Sequence, residues 1–134
     1  MADAISLELI TPSALAAKVS ASEVTLPGLL GEFTVLPGHA PYVAQIRPGI
    51  VRYRSEGSQH SFVLGSGFVE VSENRLLVLA RSVEARGDLD EAATRDALVA
   101  AEAAIQELGM DSPQYPAALD QVEVLRARLQ MLSS

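Results

Sequence analysis

The sequence has no cysteine and no tryptophan, a single lysine at Lys18 and only two histidines, His39 and His60. Without cysteine there is no disulfide scaffold, no thiolate metal site and no cysteine nucleophile. Two histidines without an HExxH spacing give no basis for a catalytic zinc centre, so no metal is expected. No apolar run approaches the ~18–20 residues that a membrane-crossing helix needs. The opening MADAISLELITP has neither a basic start nor an apolar signal core, so secretion is not expected. Bases are scarce as well. Ten Lys+Arg stand against seventeen Asp+Glu, a formal charge of −7, which argues against general nucleic-acid binding.

What is present is apolar content. Of 134 residues, 49% are hydrophobic, enough for a core in one compact unit or in two small pieces that lean on each other. The texture breaks near residue 86. Before it, short alternating runs occur at Ile5–Leu9, Val24–Leu26, Phe33–Val35, Val51–Arg54 and Phe68–Val71. Period-two alternation puts one face on a core and one in water. Breakers fall about every ten residues, at Pro12, Pro27-Gly28, Gly31, Pro37-Gly38, Pro41, Pro48-Gly49, Glu56-Gly57 and Glu73-Asn74, the pattern of a β-sandwich or flattened barrel. Leu76–Ala80 is apolar on both parities and predicts a strand covered on both faces.

After Arg86 alanine dominates. Asp88 with Glu91 resembles a capping box and predicts a helix from about Leu89 to Leu108, stopped by Gly109. Ser112-Pro113 predicts a second helix, with serine as cap and proline at the first helical position, reaching about Leu132. Leu98, Ala101, Ile105 and Leu108 on the first helix follow steps of 3 and 4. So do Tyr115, Ala118, Val122, Leu125, Leu129 and Leu132 on the second. These seams predict an antiparallel helical hairpin. The expected fold is α+β and mainly β, with a β-sandwich over 1–86 and a helical hairpin over 87–134. Two such helices are marginal alone, so the hairpin must dock, most simply on the sandwich. Charge is uneven: residues 1–84 hold eight acids and six bases, while 85–134 hold nine acids and four bases.

No catalytic residue is expected. Gly65-Ser66-Gly67 lacks the spacing of a hydrolase nucleophile elbow, and Lys18 follows no phosphate-binding loop. Glu70 and Glu73 make a candidate carboxylate pair that sits better on a solvated strand end. His39 is most simply a loop histidine that orders a turn. On these grounds the chain binds rather than catalyses, either as part of an assembly or as a stand-alone β-sandwich ligand-binding module with a helical docking hairpin.

The stretch Leu26-Pro27-Gly28-Leu29-Leu30-Gly31-Glu32-Phe33-Thr34-Val35-Leu36-Pro37-Gly38-His39-Ala40-Pro41 resembles the ε subunit of F-type ATP synthases (δ in mitochondrial naming). Ile46-Arg47-Pro48-Gly49, Gly65-Ser66-Gly67-Phe68-Val69-Glu70-Val71 and Arg86-Gly87-Asp88-Leu89-Asp90-Glu91-Ala92 extend the resemblance in order over nearly the whole chain. It implies a non-catalytic, proton-coupled rotor subunit of the central stalk, peripheral on the cytoplasmic side of a bacterial inner membrane. The implied partners are the γ subunit, the c ring and, through the C-terminal helices, the α/β catalytic head. Contact with the membrane would be indirect, through the c ring.

By position, the resemblance assigns Gly31, Glu32 and Phe33 to the c ring, and Thr11 and His39 to γ. It makes Leu125, Arg126, Arg128 and Leu129 the regulatory helix that in many bacterial members inhibits ATP hydrolysis. Some members bind ATP through an Ile/Leu-Asp-x-x-Arg-Ala motif. Here Leu89-Asp90 is followed by Ala93 and Thr94 where Arg-Ala belongs, and Arg95 comes two places late. The guanidinium that would pair with phosphate is missing. Weak or absent nucleotide binding at Asp90, and no cofactor, are therefore expected.

Overall fold

Alternation in the first part of the chain becomes pleat. The structure, a computed structural model, describes residues 4–134; the first three residues of the sandwich expected over 1–86 lie outside the described residues. The strands are β1 (Ile5–Thr11), β2 (Ala14–Ala21), β3 (Glu23–Gly28), β4 (Gly31–Val35), β5 (Tyr42–Ile46), β6 (Gly49–Ser55), β7 (Ser58–Leu64), β8 (Gly67–Ser72), β9 (Arg75–Ala80) and β10 (Val83–Glu84). They form one sheet in the order β10-β7-β6-β3-β5-β8-β9-β1-β2, with β4 on β3. Among the described residues, the β1–β9 pairing is parallel and the others are antiparallel. The sheet bends back on itself. Ser22 N donates to Arg54 O at 2.8 Å and Ser55 Oγ to Ser20 O at 2.7 Å, so the end of β2 meets β6 and the barrel is nearly closed.

Inward residues of the alternating strands build the core: Ile5, Leu7 and Leu9 of β1, Val24 and Leu26 of β3, Val69 and Val71 of β8. Burial of Tyr53 at its margin raises the phenol above its usual pKa. Strand β9 departs from expectation. Leu76, Val78 and Ala80 face the core, but Leu79 is 47% exposed. Its second face is uncovered, because the helices pack on β6 and β7 and leave β9 open. The Ala-rich Ala14–Ala21 has helical propensity. It is nonetheless a strand, paired with β1 from Ile5–Ala21 to Thr11–Ala14 around a bulge at Leu9/Ile10. Gly67 is the tightest point of the sheet: a Cβ there would lie 1.8 Å from Leu79 O.

The chain leaves the sheet through a 3-10 turn (Arg86–Asp88), then α1 (Glu91–Gln106) and α2 (Tyr115–Leu132). The cap of α1 is Asp90, not Asp88; its Oδ1 accepts from Ala93 N at 2.9 Å. Asp88 is consumed in the 3-10 turn, and Leu89 runs extended with its side chain packed on a cluster of Ile50, Val63, Ala127 and Met131. The helix ends at Gln106, and Glu107 N and Leu108 N turn back to carbonyls three residues earlier. Helix α2 starts at Tyr115, with Pro116 rather than Pro113 in its first turn. Gln114 N donates to Ser112 Oγ at 3.2 Å, which holds 112–114 as a turn. The hairpin seam is as expected: Val122 and Leu125 are buried, and Leu98, Ala101 and Ile105 are half-buried opposite them. The remaining positions of α1 are mostly exposed, while α2 has a second inward stripe at Val124, Ala127 and Met131.

Candidate functional site

Three surfaces and the start of α1 account for the residues singled out by sequence. The first is the outer face of the sheet. Gln45, Phe68, Leu79, Ile10 and Leu15 are register partners on β5, β8, β9, β1 and β2, so their side chains form one row facing away from the core. Leu79, Leu15 and Phe68 are about half exposed, Phe68 at 53%. Thr11 closes β1 beside this row, its Oγ1 donating to Ala14 O at 3.3 Å. With Ile10, Phe68 and Leu79 it lines a groove of about 590 Å³ whose far wall is α2. Sequence reasoning singled out Thr11 but not Phe68 or Leu79. The available signal was Leu79 itself, a large apolar residue out of phase in its strand.

The second surface is the tip between β3 and β4. Leu29 and Leu30 form the turn, and Leu30 is fully exposed. Gly31 follows with φ +137°, a conformation glycine adopts without steric cost. Glu32 Oε2 accepts from Arg52 Nη1 at 3.0 Å; both side chains are solvent-accessible. Such a pair contributes at most about 1 kcal/mol, so Glu32 can exchange partners cheaply. Phe33 sits edge-on to Tyr42 with ring centroids 5.5 Å apart. In the loop that follows, His39 Nδ1 donates to Ala40 O at 2.6 Å, and Gly38 N donates to Asn74 Oδ1 at 2.7 Å. The histidine therefore orders its loop. It stands near Tyr42 (5.9 Å between ring centroids), off the outward row beside which Thr11 lies.

The third surface is the underside of α2. Its apolar part is the small cluster of Ile50, Val63, Leu89, Ala127 and Met131. Polar links surround it: Ser66 Oγ donates to Asp120 Oδ2 at 3.0 Å, Arg47 pairs with Glu123, Arg128 Nε donates to Glu84 Oε1 at 2.8 Å, and Arg86 Nη2 donates to Ser134 O at 2.9 Å. Arg126 instead joins the helices to each other, donating to Glu102 at 2.9 Å. Leu125 is buried and Leu129 half-buried in the hairpin. Thus Arg126 and Arg128 both have carboxylate partners within the chain.

Among the described residues, the cation at the start of α1, Arg95, is already engaged. Asp90 is occupied as a cap, Thr94 is buried and donates to Asp90 O at 2.6 Å, and Arg95 donates twice to Glu91 Oε2. Among the described residues no group of three or more His, Asp or Glu side chains is placed to hold a metal ion. Glu70 is an exposed residue of β8 and Glu73 lies in the next turn with φ +51°; His39 and His60 lie on separate elements.

Comparison with known proteins bears on these surfaces. Residues 4–86 match the family model of the ATP synthase delta/epsilon chain β-sandwich domain. The ATP synthase epsilon chain of Anaeromyxobacter sp. (strain Fw109-5) is 32% identical over 126 residues, covering 94% of this chain and 96% of that protein. The ATP synthase epsilon chain 2 of Syntrophotalea carbinolica is 36% identical over 115 residues, covering 86% and 83%. In fold, the chain is similar to one in the Euglena gracilis mitochondrial ATP synthase OSCP/F1/c-ring assembly. That match has a TM-score of 0.80 and 23% identity, covering 96% of this chain and 80% of the other.

Proposed function

The chain belongs to the ATP synthase delta/epsilon family, and from that premise we propose that it is a non-catalytic central-stalk subunit of a proton-driven F-type ATP synthase. In this reading residues 1–86 join γ to the c ring, and residues 87–134 form a regulatory hairpin able to engage the α/β head. The outward row and Thr11 seat γ, together with His39 on its loop. The tip from Leu29 to Phe33, with Gly31 and Glu32, meets the polar loops of the c ring. The subunit sits peripherally on the cytoplasmic face of a bacterial inner membrane, and among the described residues no helix is long and apolar enough to cross one.

The observation that carries the reading is the uncovered row of Ile10, Leu79 and Phe68. A folded chain exposes contiguous apolar residues where a partner covers them. A tagged copy, recovered from gently solubilised native membranes, is expected to bring γ, the c ring and the α/β head with it. Recovery alone, from a preparation whose synthase is intact, refutes the reading. ATPase assays with and without residues 88–134 then test regulation.

Binding of ATP at Asp90 is weak or absent, because Asp90 caps α1 and Arg95 is held by Glu91. Tight stoichiometric binding by calorimetry contradicts this.

A further inference from the structure

Leu119 is a partly exposed leucine on α2. It is 37% exposed, and it belongs neither to the seam through Val122 and Leu125 nor to the stripe through Val124, Ala127 and Met131. It lines the groove opposite Phe68 and Leu79. The sheet row alone is an open strip; α2 adds a facing wall of Leu119, Asp120 and Glu123, with Leu119 its one apolar residue.

The rim is charged. Asp120 accepts from the Ser66 hydroxyl, and among the described residues no cation lies within ion-pair distance of it. Arg81 lines the same groove, and no described carboxylate pairs with it. The groove thus presents an apolar floor flanked by one unpaired charge of each sign. An amphipathic helix fits this, with a basic side chain toward Asp120 and an acidic one toward Arg81.

We propose that the groove takes such a helical face of the γ subunit, and that α2, through Leu119 and Asp120, is part of the γ site. The inference rests on the stalk reading above and adds a consequence to it. The γ site is whole only while the hairpin is docked. By linkage, γ holds the hairpin down by the same factor that the docked hairpin adds to γ affinity.

The test uses the full chain and γ from the same source. Phe68→Asp alters the sheet wall, Leu119→Asp the helix wall, and Val99→Asp an exposed site on α1 away from the groove. Phe68→Asp is expected to weaken γ binding at least tenfold and Leu119→Asp about tenfold, with Val99→Asp unchanged. Circular dichroism checks the fold, and Leu119→Ser, a milder change, is expected to show a smaller loss in the same direction. Adding γ is expected to slow amide exchange along α2. Loss with Phe68→Asp but not with either Leu119 variant overturns the inference and leaves the stalk reading standing. Loss with neither residue overturns both. An equal loss with Val99→Asp, or α2 exchange indifferent to γ, overturns the inference.

Discussion

The sandwich core and the contact beneath α2 are built from opposite materials. Among the described residues, sixteen buried hydrophobic side chains make the core, most of them Ile, Leu and Val, whereas four buried ones, with half-buried Leu89, make the apolar cluster under α2, one of the four being alanine. Burial of a large aliphatic side chain stabilises by about 1.5–3 kcal/mol. The core is therefore strong, non-directional and insensitive to salt. The contact under α2 leans on Ser66–Asp120, Arg47–Glu123 and Glu84–Arg128. Such links are directional and screened by ions. The lesson is one of two kinds of stability: the same chain holds its sheet by apolar packing and its helices largely by polar contacts at their edge.

The comparison breaks most severely at Gly67. Gly67→Ala sets a methyl against the Leu79 carbonyl, and backbone cannot yield as a flexible side chain does. A loss of about 3 kcal/mol or more is expected, seen as a large fall in melting temperature of the strands. A next, smaller effect separates the two regions. Leu125→Asp places a charge in the hairpin seam and is expected to cost the hairpin about 2–4 kcal/mol. Helical circular dichroism should fall while strand amides stay protected; unchanged helicity contradicts a seam held by Leu125.

The smallest effect sharpens the contrast. Glu84→Gln removes the partner of Arg128 in a pair whose side chains are each about a quarter exposed. The docked arm should lose about 1 kcal/mol, read as faster amide exchange in α2 with the core unaltered. Raising salt from low to molar concentration should act on α2 in the same direction, and an equal response in the core strands would erase the distinction.

Legibility in the sequence followed the same division. Alternation revealed the core strands because an inward residue and its outward neighbour differ in polarity, as in Ile5-Ser6-Leu7-Glu8-Leu9. The hairpin seam was visible because a 3-4 spacing leaves a clear stripe. Three features were hidden. Leu79 looked like a second core face because an apolar residue awaiting a partner is chemically identical to one in a core. Asp88 and Asp90 are equivalent caps by type; packing of Leu89 against Met131 and Ile50 decides between them. Phe68 and Leu119 meet only after the sheet and α2 are placed together, so no local spacing announces their groove. The tip at Gly31 and the loop at His39 were singled out only through resemblance, since neither carries a chemical signature of its own.

The outward row has a consequence for whatever lies along it. Adjacent strands are spaced about 4.8 Å apart, and successive turns of an α-helix rise about 5.4 Å. Phe68, Leu79, Ile10 and Leu15 follow one another on adjacent strands. A helix laid across them meets a vernier: it slips about 0.6 Å per turn, while each strand also rotates the row by about 20–25°. Three or so turns stay in phase before knobs ride onto ridges. The row thus measures out a short length of helix, and a shaft that continues past it must bend, end or lift away.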